Sequence, residues 1–458
     1  MSLIPLAQLL ACERPHDHPV AFSDNHTATW AQFQHDVSSL TAHFEAKEEQ
    51  RWALAFDDSY LFATAFLALC HARKNIVLPG NLQPGALNEL RPHFDAIVHD
   101  ERIQLLANTP AVSLPYAEVN THANLSRPAP FNAVTLTLFT SGSSSTPKAI
   151  VKQLSQLQAE LNQLEFQWGE SLSNTRVQST VSHQHIYGLL FRVLWPLSAG
   201  RAFSCSDLVY PEQVTAAAQS DATLISSPAL LKRLEGQCKH NEYRAVFSSG
   251  GPLPFDASTH SEQLLGQRPV EVYGSTETGG IGFRQQTLST QPWQLFDDIR
   301  AELDEHGCLR LLSPYIDANA WYQTADLCDL INDTQFVLKG RADRVIKLEE
   351  KRVSLSEIEQ RLCENTWISD AASLVLSLDE RQVVAAVVVL SPEGQRKVTD
   401  VGKGKFQLAL RQQLRDWLEP IAIPRQLRFV NAIPQNSQGK RQKQVIESLF
   451  SPASSTNE

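Results

Sequence analysis

Short runs of apolar, β-branched and aromatic residues alternate with longer stretches of helical periodicity along most of the chain. AIVHD (96–100), VTLTLFT (134–140) and ATLISS (222–227) predict buried strands, whereas LSQLQAELNQLEFQW from Leu154 spaces its apolar residues as an amphipathic helix does. This alternation predicts an α/β fold with mainly parallel sheets. Near residues 307–339 the texture changes to short strands and turns, GCLRLLSPY and QFVLKG. Beyond Arg341 come a helix over SEIEQRLCEN, the strand-like QVVAAVVVL, a basic loop-like segment at 391–405 and a helix from Phe406 to Trp417. That piece has the size and mix of a small α+β domain. The expected division is a large domain over 1–341, a small one over 342–450 and a disordered tail, SPASSTNE, over 451–458.

Composition narrows the function. The 458 residues, 42% hydrophobic and 8% aromatic, are enough for two or three packed units, and disorder as the main state is excluded. A formal charge of −10 argues against a nucleic-acid binder or a protein drawn to anionic membranes. The charge is uneven: from Arg341 onward 18 Lys and Arg face 15 Asp and Glu, so a basic end follows an acidic body. Seven cysteines stand far apart without a C-x-x-C pair, which points to reduced thiols in a cytoplasmic setting rather than to zinc or a disulfide scaffold. The start has no basic segment before an apolar one, and the longest apolar stretch, near residues 61–70, is about half of what a bilayer span needs.

The segment richest in chemistry is LTLFTSGSSSTPKAIVKQ at 136–153, where an apolar strand runs into a hydroxyl-rich loop closed by Pro147 and Lys148. Backbone N–H groups, hydroxyls and one ammonium are the equipment of a phosphate cradle, although Ser runs also make flexible linkers. It is not a nucleotide P-loop, because Pro147 replaces the second glycine and Ala149 stands where the magnesium-binding hydroxyl belongs. Nor is it a hydrolase elbow, since Thr146 occupies the last glycine of G-x-S-x-G. His183 and His185 form an H-x-H pair, but no third metal ligand is near them in sequence.

TSGSSSTPK (140–148) and YGSTE (273–277) together resemble the two signatures of the adenylate-forming, AMP-binding superfamily of acyl-CoA synthetases, peptide-synthetase adenylation domains and luciferases. HIYGL (185–189), SSGGPL (248–253), YQTADL (322–327), GRADRVIKLEEKRVSLSEIE from Gly340 and QGK ending at Lys440 continue the resemblance in the family's order. It implies a large adenylation domain and a small mobile C-terminal lid. It also implies ATP-dependent activation of a carboxylic acid to acyl-AMP with release of pyrophosphate, then transfer to a thiol.

By that resemblance Thr140, Ser141, Gly142, Ser143, Ser144, Ser145 and Lys148 hold the β- and γ-phosphates, and Glu277 holds Mg2+. Thr276 contacts phosphate or carboxylate oxygens within Tyr273–Gly274–Ser275–Thr276–Glu277. Tyr273 stacks on adenine opposite Gly250, Gly251 and Pro252. Asp326 accepts from both ribose hydroxyls, a task suited to an acceptor-only carboxylate. Arg341 contacts ribose or phosphate, Asp343 is the hinge of the lid, and Lys440 reaches the α-phosphate and the carboxylate. His185 gates the way between acid pocket and thiol channel. The sequence departs from the family in three places: Ser145 replaces the second loop glycine, Ala325 a glycine before Asp326, and Glu350, beside Glu349, the hinge-motif glycine that lines the thiol channel.

The leading expectation is an acid–thiol ligase whose acceptor is phosphopantetheine, on an acyl carrier protein in preference to free coenzyme A. Acidic Glu349 and Glu350 disfavour a polyphosphate nucleotide, while the basic end favours an acidic carrier. A conventional acyl-CoA or aryl-CoA ligase is the alternative, and an inactive binder of ATP or acyl-AMP is the alternative outside enzymes. Tyr187, Phe191, Trp195, Phe247 and Phe283, with the small Gly279 and Gly280, point to a hydrophobic or aromatic acid.

Overall fold

The structure is a computed structural model, and it describes residues 3–105, 109–115, 123–140, 147–235, 242–348, 351–378, 381–435 and 441–450. The chain divides into two compact units, Met1–Arg300 with Leu312–Tyr322, and Ala301–Leu311 with Gln323–Glu458. The boundary expected at 342 falls inside the second unit, and the expected tail at 451–458 lies outside the described residues.

In the first unit a six-stranded sheet has the spatial order Ala111–Leu114, Ala96–Asp100, Arg51–Ala55, Asn75–Leu78, Thr135–Thr140, Lys148–Gln153. All neighbours are parallel except the last two, which form an antiparallel hairpin. Trp52, Ala53, Leu54, Ile97 and Val98 are buried, which explains why these strands read as unbroken apolar runs. The apolar stretch at 61–70 lies in the helix Ser59–His71, capped by Asp58 accepting from the N–H groups of Tyr60 and Leu61. Among the described residues no helix is long and apolar enough to cross a membrane.

A second sheet of this unit places Arg176–Ser179, Ala222–Ser226, Ala245–Ser248 and Val270–Ser275 side by side in parallel. Val270–Ser275 then turns back through an antiparallel strand, Gly279–Gln285. Their pairing runs from Val270 opposite Gln285 to Tyr273 opposite Gly282 and resumes with Gly274 opposite Gly280, so Ile281 is the extra residue of a β-bulge. The sheets are parallel and mixed, as expected.

In the second unit Ile368–Leu378, Arg381–Leu390 and Gln426–Phe429 form a three-stranded sheet. One face of the central strand carries Val384, Ala386 and Val388 against Ile358, Leu362, Phe406 and Leu410. The other carries Ala385 and Val387 against Leu374, Ile433 and Ile446. Burial on both faces is why QVVAAVVVL has no polar alternation. The expected basic loop at 391–405 is instead helical, with Pro392–Val401 followed by Lys403–Leu414, the latter ending before Trp417. Ser391 caps the first helix at Gly394 N–H with Pro392 in its first turn, and Gly402 at φ +81° separates the two. A side chain at Gly394 would collide with the carbonyl of Trp367.

Candidate active site

Strand pairing brings Thr140 opposite Lys148, so the hydroxyl-rich loop is closed at its base by a hairpin. Ser141 to Ser145 lie outside the described residues, as does the side chain of Thr140. Beside the loop's entry, Gly80 adopts φ +73°, and a Cβ there would stand 3.1 Å from the Phe139 carbonyl oxygen and 3.2 Å from Cε1 of His185. His185 and the end of the strand that feeds the loop thus both border Gly80. Gly80 was not singled out in the sequence, and its only signal there is its place after the apolar NIVLP.

Lys148 reaches across to the second signature. Its Nζ lies 3.3 Å from Oε1 of Glu277, with the two side chains 60% and 26% exposed. Glu277 stands on a tight turn whose shape is set locally: Oγ1 of Thr278 accepts from Ser275 N–H and Oγ of Ser275 accepts from Thr278 N–H. Gly279 takes φ +69°, and a side chain at Gly274 would collide with the Gly279 carbonyl. The two glycines and two hydroxyls are thus required by the turn itself.

Beneath this turn lie two buried charges that the sequence reading passed over. Lys152 Nζ donates to the carbonyl oxygens of Glu277 at 2.7 Å and Tyr315 at 2.9 Å. Glu160 Oε1 accepts from Gly280 N–H at 2.7 Å. Burial pushes the Glu160 carboxyl up to about 7, opposed by the Gly280 N–H and by Lys152 and assisted by Asp298. Burial also lowers the Lys152 ammonium, against the pull of Glu160 and Glu277.

Tyr273 packs at 5.3 Å between ring centroids from Trp293, over which Arg284 lies at 4.4 Å. The Ser249–Leu253 turn is tied to the same strand, Ser249 Oγ donating to the Val272 carbonyl and Leu253 N–H to the Glu271 carboxylate. Exposed Gly250, at φ +92°, Gly251 and Pro252 thus lie in a turn tied at both ends to the strand that carries Tyr273, and a Cβ on Gly251 would meet nothing within 4 Å.

His183 is a core residue: its Nδ1 faces Ser59 Oγ at 3.1 Å and its Nε2 the Phe56 carbonyl at 3.0 Å. Burial and the neighbouring Arg192 hold it well below its ordinary value, so it stays neutral. Among the described residues no three metal-ligating side chains gather. Phe191, Trp195, Phe247 and Phe283 pack around Trp168 at 5.0 to 6.4 Å, with Tyr187 against Phe191. Phe296 joins the same cluster at the edge of Gly280.

In the second unit Asp326 and Arg341 are cross-strand partners, with Nη1 3.1 Å from Oδ1. Residues 342–344 form a single 3₁₀ turn. Arg344 binds Glu359 at 2.6 Å, and the same carboxylate takes Arg441 at 2.8 Å and Ser373 N–H at 2.6 Å. Arg441 also binds Asp370 at 2.8 Å. Lys440, Glu349, Glu350 and the side chain of Asp343 lie outside the described residues.

Comparison with known proteins bears on the family and the fold. The AMP-binding enzyme family matches residues 83–299, and the AMP-binding enzyme C-terminal domain matches residues 357–440. A 4-coumarate–CoA ligase of Cereibacter sphaeroides is 26% identical over 66% of this chain and 69% of its own length. A 2-succinylbenzoate–CoA ligase of Enterococcus faecalis is 23% identical over 93% of this chain and 95% of its own. Among solved structures, ATP-bound MatB from Rhodopseudomonas palustris superposes with a TM-score of 0.81 at 15% identity, covering 98% of this chain and 99% of that one. The o-succinylbenzoate CoA synthetase of Bacillus subtilis, in complex with its acyl-adenylate intermediate, gives 0.78 at 14% identity, covering 99% of each chain. These likenesses establish the two-domain adenylate-forming fold.

Proposed function

Because the chain belongs to the AMP-binding, adenylate-forming enzymes, ligases that activate carboxylic acids, we propose that it converts a hydrophobic or aromatic acid to acyl-AMP and passes the acyl group to a phosphopantetheine thiol. The approach of Lys148 to Glu277 carries the proposal, since it joins the phosphate loop to the second signature in one place. In the first step a carboxylate oxygen attacks the α-phosphorus of ATP, the bond to the β-phosphate oxygen breaks, and pyrophosphate leaves. Two anions about 3.5 Å apart repel by roughly 5 kcal/mol at an effective dielectric near 20. Lys148 and Lys440 would offset that repulsion, with Thr140 to Ser145 holding the outgoing phosphates and Thr276 orienting the reacting oxygens.

Glu277 suits Mg2+, which is usually held by one or two carboxylates together with substrate phosphates rather than by an all-protein cage. When bound, the ion would neutralise charge on the phosphates. Tyr273 would stack on adenine against Gly250, Gly251 and Pro252. Asp326 would take the ribose hydroxyls, and its bond to Arg341 aims the carboxylate. Asp343 would act as the hinge between half-reactions, and His185, beside the phosphate-loop strand, as the gate. In the second step the thiol sulfur attacks the acyl carbonyl, AMP departs and the thiol proton goes to solvent.

The aromatic cluster beside Gly280 supports a hydrophobic or aromatic acid. The acidic Glu349 and Glu350 and the basic C-terminal residues support a carrier-protein thiol, in a cytoplasmic setting that agrees with the six cysteines that are free among the described residues. Free coenzyme A is the second reading, favoured by the CoA ligases among the relatives. A panel of acids read by pyrophosphate release, then repeated with coenzyme A and with a phosphopantetheinylated carrier protein, tests all of this. Release with at least one hydrophobic or aromatic acid is expected. No pyrophosphate and no acyl-AMP from folded, ATP-binding protein across the panel would refute the adenylation reading.

A further inference from the structure

We propose that Lys152 and Glu160 are positioning residues for adenylation, two opposite buried charges that hold the Glu277 turn from beneath at both of its ends. The proposal rests on the adenylation reading above and adds residues that none of the signature motifs contains.

Both side chains are almost fully enclosed, at 3% and 4% exposure, and buried Lys and Glu are costly unless their charges are met. Here they are met largely by the backbone of the turn. Lys152 binds the carbonyl of Glu277 itself, together with that of Tyr315 from another segment. Glu160 binds the N–H of Gly280, three residues further on. One charge fixes the acceptor at one end of the turn and the other fixes the donor at the far end, leaving the Glu277 side chain to project toward Lys148. The fit is close: a Cβ on Gly279 would lie 2.6 Å from Oε2 of Glu160, and one on Gly280 3.1 Å from Oε1. Tyr315, whose carbonyl shares Lys152, is held in turn by its hydroxyl donating to Asp298 at 2.7 Å. A pair kept merely for stability has no need to address the backbone of the residue that faces the phosphates. The two charges answer backbone groups and not each other, so removing them costs those bonds as well as the aim of the turn, and activity and stability have to be read separately.

This contrast between stability and positioning is what the test uses. The variants are Lys152→Met, Glu160→Gln, Glu160→Leu and the double variant Lys152→Met/Glu160→Leu. Pyrophosphate release is measured at saturating acid and ATP across a magnesium titration, alongside thermal melting. Calorimetry with the non-cleavable α,β-methylene analogue of ATP, with and without Mg2+, gives a readout independent of turnover. The double variant is expected to melt below the wild-type temperature, because the Glu277 and Tyr315 carbonyls and the Gly280 N–H lose their partners, while its kcat for acyl-AMP formation falls 10- to 100-fold and the KM for the acid changes less than 3-fold. Its Mg2+-dependent gain in analogue affinity should shrink at least 5-fold. Glu160→Gln, whose amide oxygen still accepts from Gly280, should stay within 3-fold of wild type, whereas Glu160→Leu should not. A double variant with wild-type kcat and an unaltered magnesium effect overturns the proposal. The adenylation reading fails separately, and only if the wild-type enzyme itself releases no pyrophosphate.

Discussion

The turn at Glu277 and the segment around Arg344 and Arg441 are both held by charge, and they are held in opposite ways. In the first unit, Lys152 and Glu160 are sealed from water and bind backbone groups that cannot move away. In the second, Glu359 gathers two arginine side chains, each about a third exposed, and Arg441 reaches on to Asp370. Desolvated bonds to fixed partners make a rigid seat; forked arginine bonds near water make a clamp that salt can loosen and that can re-form elsewhere. The residues proposed for the unchanging part of the site sit on the first kind of support. Those flanking the proposed hinge and the proposed mobile lysine sit on the second.

The largest effect should fall on the lysine next to the clamp. Lys440→Ala is expected to slow acyl-AMP formation by roughly 10² to 10³-fold, the usual consequence of removing one preorganised charge. Thioester formation from supplied acyl-AMP should be nearly spared. Equal loss in both half-reactions, measured by single turnover, would show that this segment does not change its role between steps.

Next in size is the pH response of the sealed site. The Glu160 carboxyl is held near 7 in the folded chain against an ordinary value of 4.5. The folded state thus keeps this proton more readily than the unfolded one, so the group favours folding below about 4.5 and loses that contribution as pH rises toward 7. The loss is on the order of 3 kcal/mol. Glu160→Gln cannot titrate, so its melting temperature relative to wild type should climb with pH between about 4.5 and 7 and stay level outside that window. A difference that ignores pH would mean that Glu160 is not the titrating group.

Glu359→Ala should destabilise the second unit by about 1–3 kcal/mol by stranding two arginines and the Ser373 N–H. Added salt, at roughly 0.5 M, should narrow its gap to wild type by screening the partly exposed arginines. The same salt should leave the effect of Glu160→Leu unchanged, and denaturant melts of the two variants would show the contrast directly. Smallest, Glu350→Gly should improve use of free coenzyme A by several-fold, read as kcat/KM against a carrier protein. No change there would remove the argument that Glu349 and Glu350 disfavour the nucleotide.

The same comparison shows what the sequence carried. Strands such as Thr135–Thr140 and the helix Leu154–Trp168 were legible because burial dictates their apolar spacing. The signatures made Lys148, Glu277 and Asp326 legible as residues, though not their supports. Lys152 reads as one more surface lysine because a strand of alternating exposure gives no hint that one lysine points inward. Glu160 left a trace: it occupies the apolar stripe of its helix with Leu157, Leu161 and Leu164, a place where a carboxylate needs a partner. The helix Pro392–Val401 was hidden by its polar composition, although Ser391 and Pro392 are a helix start written in the chain.

The bulge at Ile281 gives the hairpin that ends in the Glu277 turn one residue of slack. Tyr273 still faces Gly282 and Gly274 still faces Gly280 on either side of it, so the ladder keeps its partners while the strand bends and twists locally. Deleting Ile281 would let the same pairs close into a regular ladder and take that bend away, re-aiming the Gly280 N–H relative to Glu160 without changing which residues face each other. Such a deletion should therefore spare the pairing of the hairpin and fall on the aim of its turn.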